Sequence, residues 1–103
     1  MLKKINRITS KKEFDEVKRV GTIRQFPFFG LINLVKSDTD RKFGFIISKK
    51  ISKKAVVRNK IKRLIAQEVQ NNLDKFENGF RGIFLIKKNI IDEKDNIKNI
   101  KFL

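Results

Sequence analysis

Apolar residues recur along the chain with two periods, which divide it into helical and extended segments. Phe14 and Val17 lie three residues apart and therefore share one face of a helix. Thr9 or Ser10 can cap the start of this helix, and Gly21 predicts its end. Helical spacing also covers two later ranges, residues 53–69 and residues 90–102.

Three short runs rich in Phe, Ile and Leu have the length of strands. They cover residues 26–36, 41–47 and 80–86. A polar turn over residues 37–40 separates the first two runs, so the simplest prediction for them is an antiparallel hairpin.

The predicted order is helix, strand, strand, helix, strand, helix, which indicates an α+β protein. We expect a small two-layer sandwich, with the helices in one layer and the sheet in the other. A chain of 103 residues can bury one modest core, so residues 1–103 are predicted to form a single domain.

The helix predicted at residues 53–69 has two chemically different faces. Its apolar stripe consists of Val57, Ile61, Leu64 and Ile65. A step of about 100° per residue places four residues outward on the opposite side and a fifth, Arg58, on the flank. The outward residues are Asn59, Lys60, Lys62 and Arg63. Glu68 falls within the apolar stripe, so the helix is expected to leave the core near that residue.

The charge of residues 41–67 indicates the kind of partner that this helix binds. Eight of the fifteen residues from Lys49 to Arg63 are Lys or Arg, and residues 41–67 contain no Asp or Glu. The whole chain has a formal net charge of +15 and a pI of about 10.4. A solvated helix face or an anionic membrane surface could use such charge, but a solvated face usually mixes signs, and the apolar stripe is needed for the core. A nucleic acid is the favoured partner.

Composition excludes several kinds of chemistry from the chain itself. It contains no Cys and no His, which excludes disulfides, zinc fingers and imidazole catalysis. No acidic cluster is available to hold a catalytic metal, so no catalytic residues and no metal ligands are expected. No apolar stretch has the length of a membrane span, and the N-terminus lacks a secretory signal, so we expect a cytoplasmic protein.

Two interpretations are open for the aromatic residues. Phe14 fits both an ordinary core position and the wall of a ligand groove. Phe28, Phe29 and Leu31 fit a core, and they also fit an apolar floor for bases.

Residues 43–65 resemble the signature of the bacterial ribonuclease P protein component. The family pattern is a Ser-Lys-Lys strand end, a short basic turn, and a helix that opens on Arg-Asn-Arg and continues as Lys-Arg. The matching positions here are Ser48, Lys49, Lys50, Arg58, Asn59, Lys62 and Arg63. Lys60 stands at the third position of Arg-Asn-Arg, where it keeps the charge without the planar donor fork of Arg.

The resemblance implies a fold like the second domain of a small-subunit ribosomal protein, with a left-handed strand–helix–strand crossover. It also implies a protein that is a monomer in the ribonuclease P holoenzyme and binds the catalytic RNA and the 5′ leader of precursor tRNA. The chemistry, and Mg²⁺ as the cofactor, would then belong mainly to the RNA.

The residues that these expectations assign form two surfaces. The RNA-binding set is Ser48, Lys49, Lys50, Lys53, Lys54, Arg58, Asn59, Lys60, Lys62 and Arg63. The set for the precursor-tRNA leader groove is Phe14, Lys18, Phe29 and Leu31. The alternatives are a structural RNA-binding protein of the same fold, similar to a ribosomal protein, and a self-sufficient protein nuclease.

Overall fold

The computed structural model describes residues 2–87, which contain two α-helices and four strands. In chain order these are α1 (Lys11–Val20), β1 (Thr22–Gln25), β2 (Phe29–Val35), β3 (Lys42–Ile46), α2 (Ala55–Asn71) and β4 (Phe80–Ile86). Short 3-10 turns lie at Lys4–Asn6 and Leu73–Lys75. The helix predicted at residues 90–102 lies outside the described residues.

Helix α1 begins and ends where its capping residues predict. The Ser10 side chain accepts a hydrogen bond from the Glu13 backbone N–H at 3.3 Å. At the other end, Gly21 N–H donates to the Val17 carbonyl at 2.9 Å. A Cβ atom on Gly21 would lie 2.5 Å from that same carbonyl oxygen, so the close approach requires glycine.

The sheet has the strand order β1-β2-β4-β3, and this corrects the predicted hairpin. Strand β2 pairs antiparallel with both β1 and β4, while β3 pairs in parallel with β4. The four residues of β1 are all exposed and mostly polar, so the hydrophobic pattern did not reveal the strand that pairs with β2 on that side.

The parallel pairing of β3 and β4 requires a crossover, which α2 supplies. This agrees with the strand–helix–strand unit that the resemblance implies. The left-handed sense of the crossover stays a prediction.

The α+β class is confirmed, but the two helices lie on opposite faces of the sheet rather than in one layer. On one face, Val17 of α1 packs with Ile32 and Ile83. On the other face, α2 covers a larger core that includes Phe43 and Phe84. The alternation along β2 and β4 allows this, because both strands carry apolar residues on both faces.

The buried side of α2 is turned relative to the predicted stripe. Ile61, Ile65 and Val69 are buried at successive intervals of four residues, whereas Val57 and Leu64 are only half-buried. The prediction that the helix leaves the core near Glu68 is wrong. Val69 is fully buried, because the chain after α2 folds back and buries Phe76 in the same core.

An ion-pair network fixes α1 to the sheet at the start of β4. The Arg81 side chain is 3% exposed, and it donates to both carboxylate oxygens of Asp38, at 3.1 and 2.6 Å. It also donates to Glu13 of α1 at 3.2 Å. Lys36 contacts Glu13 and Glu16 at 2.8 and 2.9 Å. The network therefore joins three elements, which are α1, the turn that follows β2, and strand β4.

The network controls the ionisation of Glu13. Burial by itself raises the pKa of Glu13, but hydrogen bonds from Lys36 and Arg81 outweigh this effect and hold the pKa below the ordinary value of 4.5. A lowered pKa stabilises the folded state above the unfolded-state pKa, and that stabilisation is lost as the pH falls through the folded-state pKa.

We therefore expect Glu13→Gln to lower the free energy of unfolding at neutral pH by about 1–2 kcal/mol. The difference from the parent should begin to shrink as the pH falls below 4.5 and become small once the pH is below the lowered folded-state pKa, where Glu13 of the parent is protonated in both states. Thermal melts of both proteins between neutral and acid pH measure this.

Asp15→Asn is the matched control, since it removes an exposed carboxylate from the same helix. Its difference from the parent should not follow the titration of Glu13. A Glu13→Gln protein whose destabilisation is the same at every pH would contradict the role given to the network.

Candidate nucleic-acid interface

The loop that joins β3 to α2 is held in place by hydrogen bonds of its serine residues and by one buried apolar side chain. Ile51 N–H donates to the Ser48 carbonyl at 3.1 Å, which closes a turn, and the Ser48 hydroxyl accepts from Lys50 N–H at 3.0 Å. Ile51 is buried in the core below the loop. Both lysines of the turn, Lys49 and Lys50, are consequently held in solvent.

The start of α2 is tied to this loop by Arg58. Its Nη1 donates to the Ser52 carbonyl at 2.7 Å, and the Ser52 hydroxyl accepts from Lys54 N–H at 3.2 Å. Arg58 thus has a structural role that the charge pattern did not reveal. The guanidinium carries five N–H donors, so it can hold the loop and still offer donors to a phosphate.

The first turns of α2 are positively charged in two ways. The four residues predicted to point outward, Asn59, Lys60, Lys62 and Arg63, are all exposed. The first turn contains no acidic residue, and its N-cap, Lys54, makes no side-chain capping bond. The positive end of the helix dipole therefore adds to the charge of Lys53 and Lys54 beside it.

A cavity of about 260 Å³ opens at the outer edge of β3. Its wall combines cations from two segments, Arg7 from the N-terminal segment and Lys62 and Arg63 from α2. Its apolar lining includes Phe14, Phe45 and Ala66. The N-terminal segment, residues 2–8, borders the cavity through a bridge between Arg7 and Phe43 of β3, in which Ile8 N–H donates to the Phe43 carbonyl at 3.0 Å.

Phe14 lies directly on the backbone of β3. A Cβ atom on Gly44 would lie 2.7 Å from Cε2 of the Phe14 ring, so the ring rests on a strand position that has no side chain. Phe14 is half-buried, and the Lys18 Nζ lies 6.0 Å from the centre of its ring. The predicted pair Phe14 and Lys18 therefore comes together on α1, with one ring edge in the cavity.

Comparisons with known proteins decide the family. Residues 2–101 match the family model for ribonuclease P. The protein component of ribonuclease P from Microcystis aeruginosa is 37% identical over 95 residues, covering 88% of this chain and 79% of its own length. The protein component from Clostridium botulinum is 37% identical over 93 residues, with 89% and 82% covered. This chain belongs to the ribonuclease P protein family.

A solved structure agrees with this assignment at the level of the fold. The ribonuclease P protein of Staphylococcus aureus superimposes with a TM-score of 0.82 at 24% identity, covering 93% of this chain and 88% of that one. The family that the motif at residues 43–65 predicts is confirmed. This chain therefore has the role of a ribonuclease P subunit in tRNA processing, with the ribonuclease P RNA and a tRNA substrate as its partners.

Two of the residues predicted to line the leader groove of this ribonuclease P protein lie in the core instead. Phe29 is 2% exposed and Leu31 is 1% exposed, and both pack in the core beneath α2. Phe14 lies with α1 on the opposite face of the sheet. Placing Phe29 and Leu31 in one groove with Phe14 is therefore wrong, because strand residues at odd and even positions face different layers.

The structure adds residues that the sequence analysis did not assign. Arg7 reaches the cavity because its segment pairs with β3, a long-range contact without a local signal. Ile46 and Leu85 are half-buried on the same face as Phe14 and pack against its cluster. These two residues replace Phe29 and Leu31 as the apolar floor beside α1.

Residues 2–87 lack both a metal-binding group of carboxylates and a membrane-spanning helix. Within this range, no group of three or more Asp or Glu side chains lies close enough together to hold a metal ion. None of the helices in the described part of the chain is long and apolar enough to cross a membrane.

The exposed face of α2 generates a prediction about salt. If the loop and α2 make about six phosphate contacts, the logarithm of the affinity for ribonuclease P RNA should fall with the logarithm of salt concentration at a slope of about −4 to −5. Arg63→Ala should weaken binding by about 1–3 kcal/mol and reduce the slope by about one. Filter binding or fluorescence anisotropy at several salt concentrations measures both values.

Arg19→Ala is the matched control, because Arg19 is also an exposed helical arginine but lies on α1. Arg19→Ala should leave both the affinity and the salt slope close to those of the parent. Equal effects of the two substitutions would mean that net charge, rather than the face of α2, governs binding.

Proposed function

We propose that this ribonuclease P protein holds the catalytic RNA with the loop and basic face of α2, and binds the 5′ leader of precursor tRNA beside α1. Cleavage itself is then carried out by the RNA, with Mg²⁺ held mainly by the RNA. In this division of labour the protein supplies phosphate contacts and a surface for unpaired bases, and it contributes no catalytic residue. We further propose that it acts in the cytoplasm as a monomer within the holoenzyme.

The cavity at the edge of β3 is the observation that carries this proposal. The ring of Phe14 belongs to the leader surface, and Lys62 and Arg63 belong to the α2 face, yet all three line the same cavity. A single strand that lies along α1 can therefore keep its phosphates within reach of the α2 cations at the edge of the sheet. The two surfaces form one continuous path for RNA rather than two separate sites.

The character of each surface supports the kind of RNA assigned to it. The α2 face offers exposed charge without an aromatic residue, which suits the phosphates of folded RNA. The α1 side offers a half-buried aromatic ring, an adjacent cation in Lys18 and the apolar floor of Ile46 and Leu85. Unpaired bases stack on such surfaces, as a leader can and a duplex cannot.

A cleavage assay tests the function. The purified protein is mixed with a bacterial ribonuclease P RNA and a precursor tRNA at low Mg²⁺ concentration. We expect faster removal of the leader than with the RNA alone, because the protein adds substrate contacts and reduces phosphate repulsion. No enhancement by a folded protein that binds the RNA would refute the proposed subunit role in cleavage.

Phe14→Leu tests the leader surface with little disturbance of packing, since the leucine keeps an apolar side chain and removes the aromatic face. We expect weaker binding of precursor tRNA to the holoenzyme by about 1–3 kcal/mol, with binding of mature tRNA unchanged. Affinities for both tRNAs measured side by side give the result.

Phe28→Leu is the matched control, because Phe28 is also half-buried but packs against the core beneath α2. It should leave the preference for precursor over mature tRNA as it is in the parent. A folded Phe14→Leu protein with an unchanged preference would return Phe14 to a purely structural role.

A further inference from the structure

A second cavity, of about 210 Å³, lies on the α2 side of the sheet, away from the surfaces described so far. It is bounded by β1, β2, the start of β4 and the 3-10 turn that follows α2. Its apolar wall is formed by Leu31, Phe76 and Phe80. Its polar groups are Arg24, Asn33, Lys75 and Glu77.

Asn33 is an unusual residue for its position. It follows Phe29 and Leu31 on the same face of β2, where the next residue of the row would ordinarily be apolar. Its Oδ1 is buried, and within residues 2–87 this atom accepts no hydrogen bond. Its neighbours across the sheet are Gly82 on β4, which has no side chain, and Thr22 on β1, whose hydroxyl does not donate to it. A buried oxygen without a donor lowers stability, so its presence on this half-buried residue calls for an explanation outside the fold.

The groups around Asn33 indicate the chemistry of a ligand. Because Oδ1 is closed to a ligand, the group that Asn33 can offer is its Nδ2, which can donate to an acceptor on the edge of a nucleobase. Glu77, exposed at the rim, can accept from a base amino group. Arg24 and Lys75 are exposed cations that line the cavity from β1 and from the 3-10 turn after α2, and they suit the phosphates that adjoin one nucleotide.

We propose that this cavity is a further RNA-binding site, which receives one unpaired nucleotide of the ribonuclease P RNA. The Nδ2 of Asn33 donates to the base, and Arg24 and Lys75 hold the adjoining phosphates. The site lies at the C-terminal end of α2, whereas the basic face lies at its start, and these ends are about 25 Å apart along a helix of this length. The inference rests on the proposed binding of the catalytic RNA and adds a distant second contact to it.

Asn33→Leu separates binding from folding, because leucine has a similar shape and removes the unpartnered oxygen. We expect its melting temperature to equal or exceed that of the parent. Its affinity for a bacterial ribonuclease P RNA transcript should nevertheless fall about fivefold to tenfold. Asn33→Thr, which suits a strand, provides a second variant should the leucine disturb the fold.

Chemical footprinting of the same RNA locates the contact. The parent should protect an unpaired nucleotide that Asn33→Leu leaves reactive, while protection by the α2 face persists. Arg24→Gln should weaken binding more than Arg19→Gln, an equal charge change on the other side of the sheet.

The outcomes distinguish this inference from the proposed function. A parent that binds no ribonuclease P RNA refutes both. A parent that binds, with a folded Asn33→Leu protein that has the same affinity and footprint, overturns the nucleotide site alone. A drop in melting temperature for both Asn33 variants, with unchanged affinity, would likewise assign Asn33 a structural role only.

Discussion

The parallel contact between β3 and β4 is the constraint on which the rest of the structure depends. Two parallel strands need a crossover, and here α2 makes it and covers Phe43 and Phe84 in the middle of the sheet. Each fully buried apolar side chain of this kind stabilises the fold by about 1.5–3 kcal/mol. The same crossover places the basic loop and the start of α2 directly after the end of β3.

The acidic residues are unevenly distributed in this chain, which has a formal net charge of +15. Residues 41–67 have no carboxylate side chain. The acids Glu13, Glu16 and Asp38 pair instead with two cations. These cations are Lys36, which follows β2, and Arg81, at the start of β4. Neutralising pairs thus stabilise the contact between α1 and the sheet, while the loop and the exposed face of α2 stay uncompensated. Self-repulsion there is relieved when a polyanion binds.

The phenylalanines in the described part of the chain occupy both core and half-exposed positions. Phe29, Phe43, Phe76, Phe80 and Phe84 form edge-on and stacked contacts in the core beneath α2. Phe14 has the same chemistry but lies on Gly44 at the other face, half-exposed beside Lys18. Burial, rather than residue type, decides which aromatic ring keeps an exposed edge.

The sequence by itself determined the features that arise from local spacing and charge. Ser10 and Gly21 bound α1, the 3.6-residue period placed Lys60 and Arg63 on the exposed face of α2, and the motif at residues 43–65 identified the family. Only the tertiary structure decided which strands pair, that the helices lie on opposite faces, and that Phe29 and Leu31 are core. It alone brought Arg7, Phe14 and Arg63 into one cavity. Strand pairing and the choice of sheet face depend on contacts between residues far apart in the chain, and no local period encodes them.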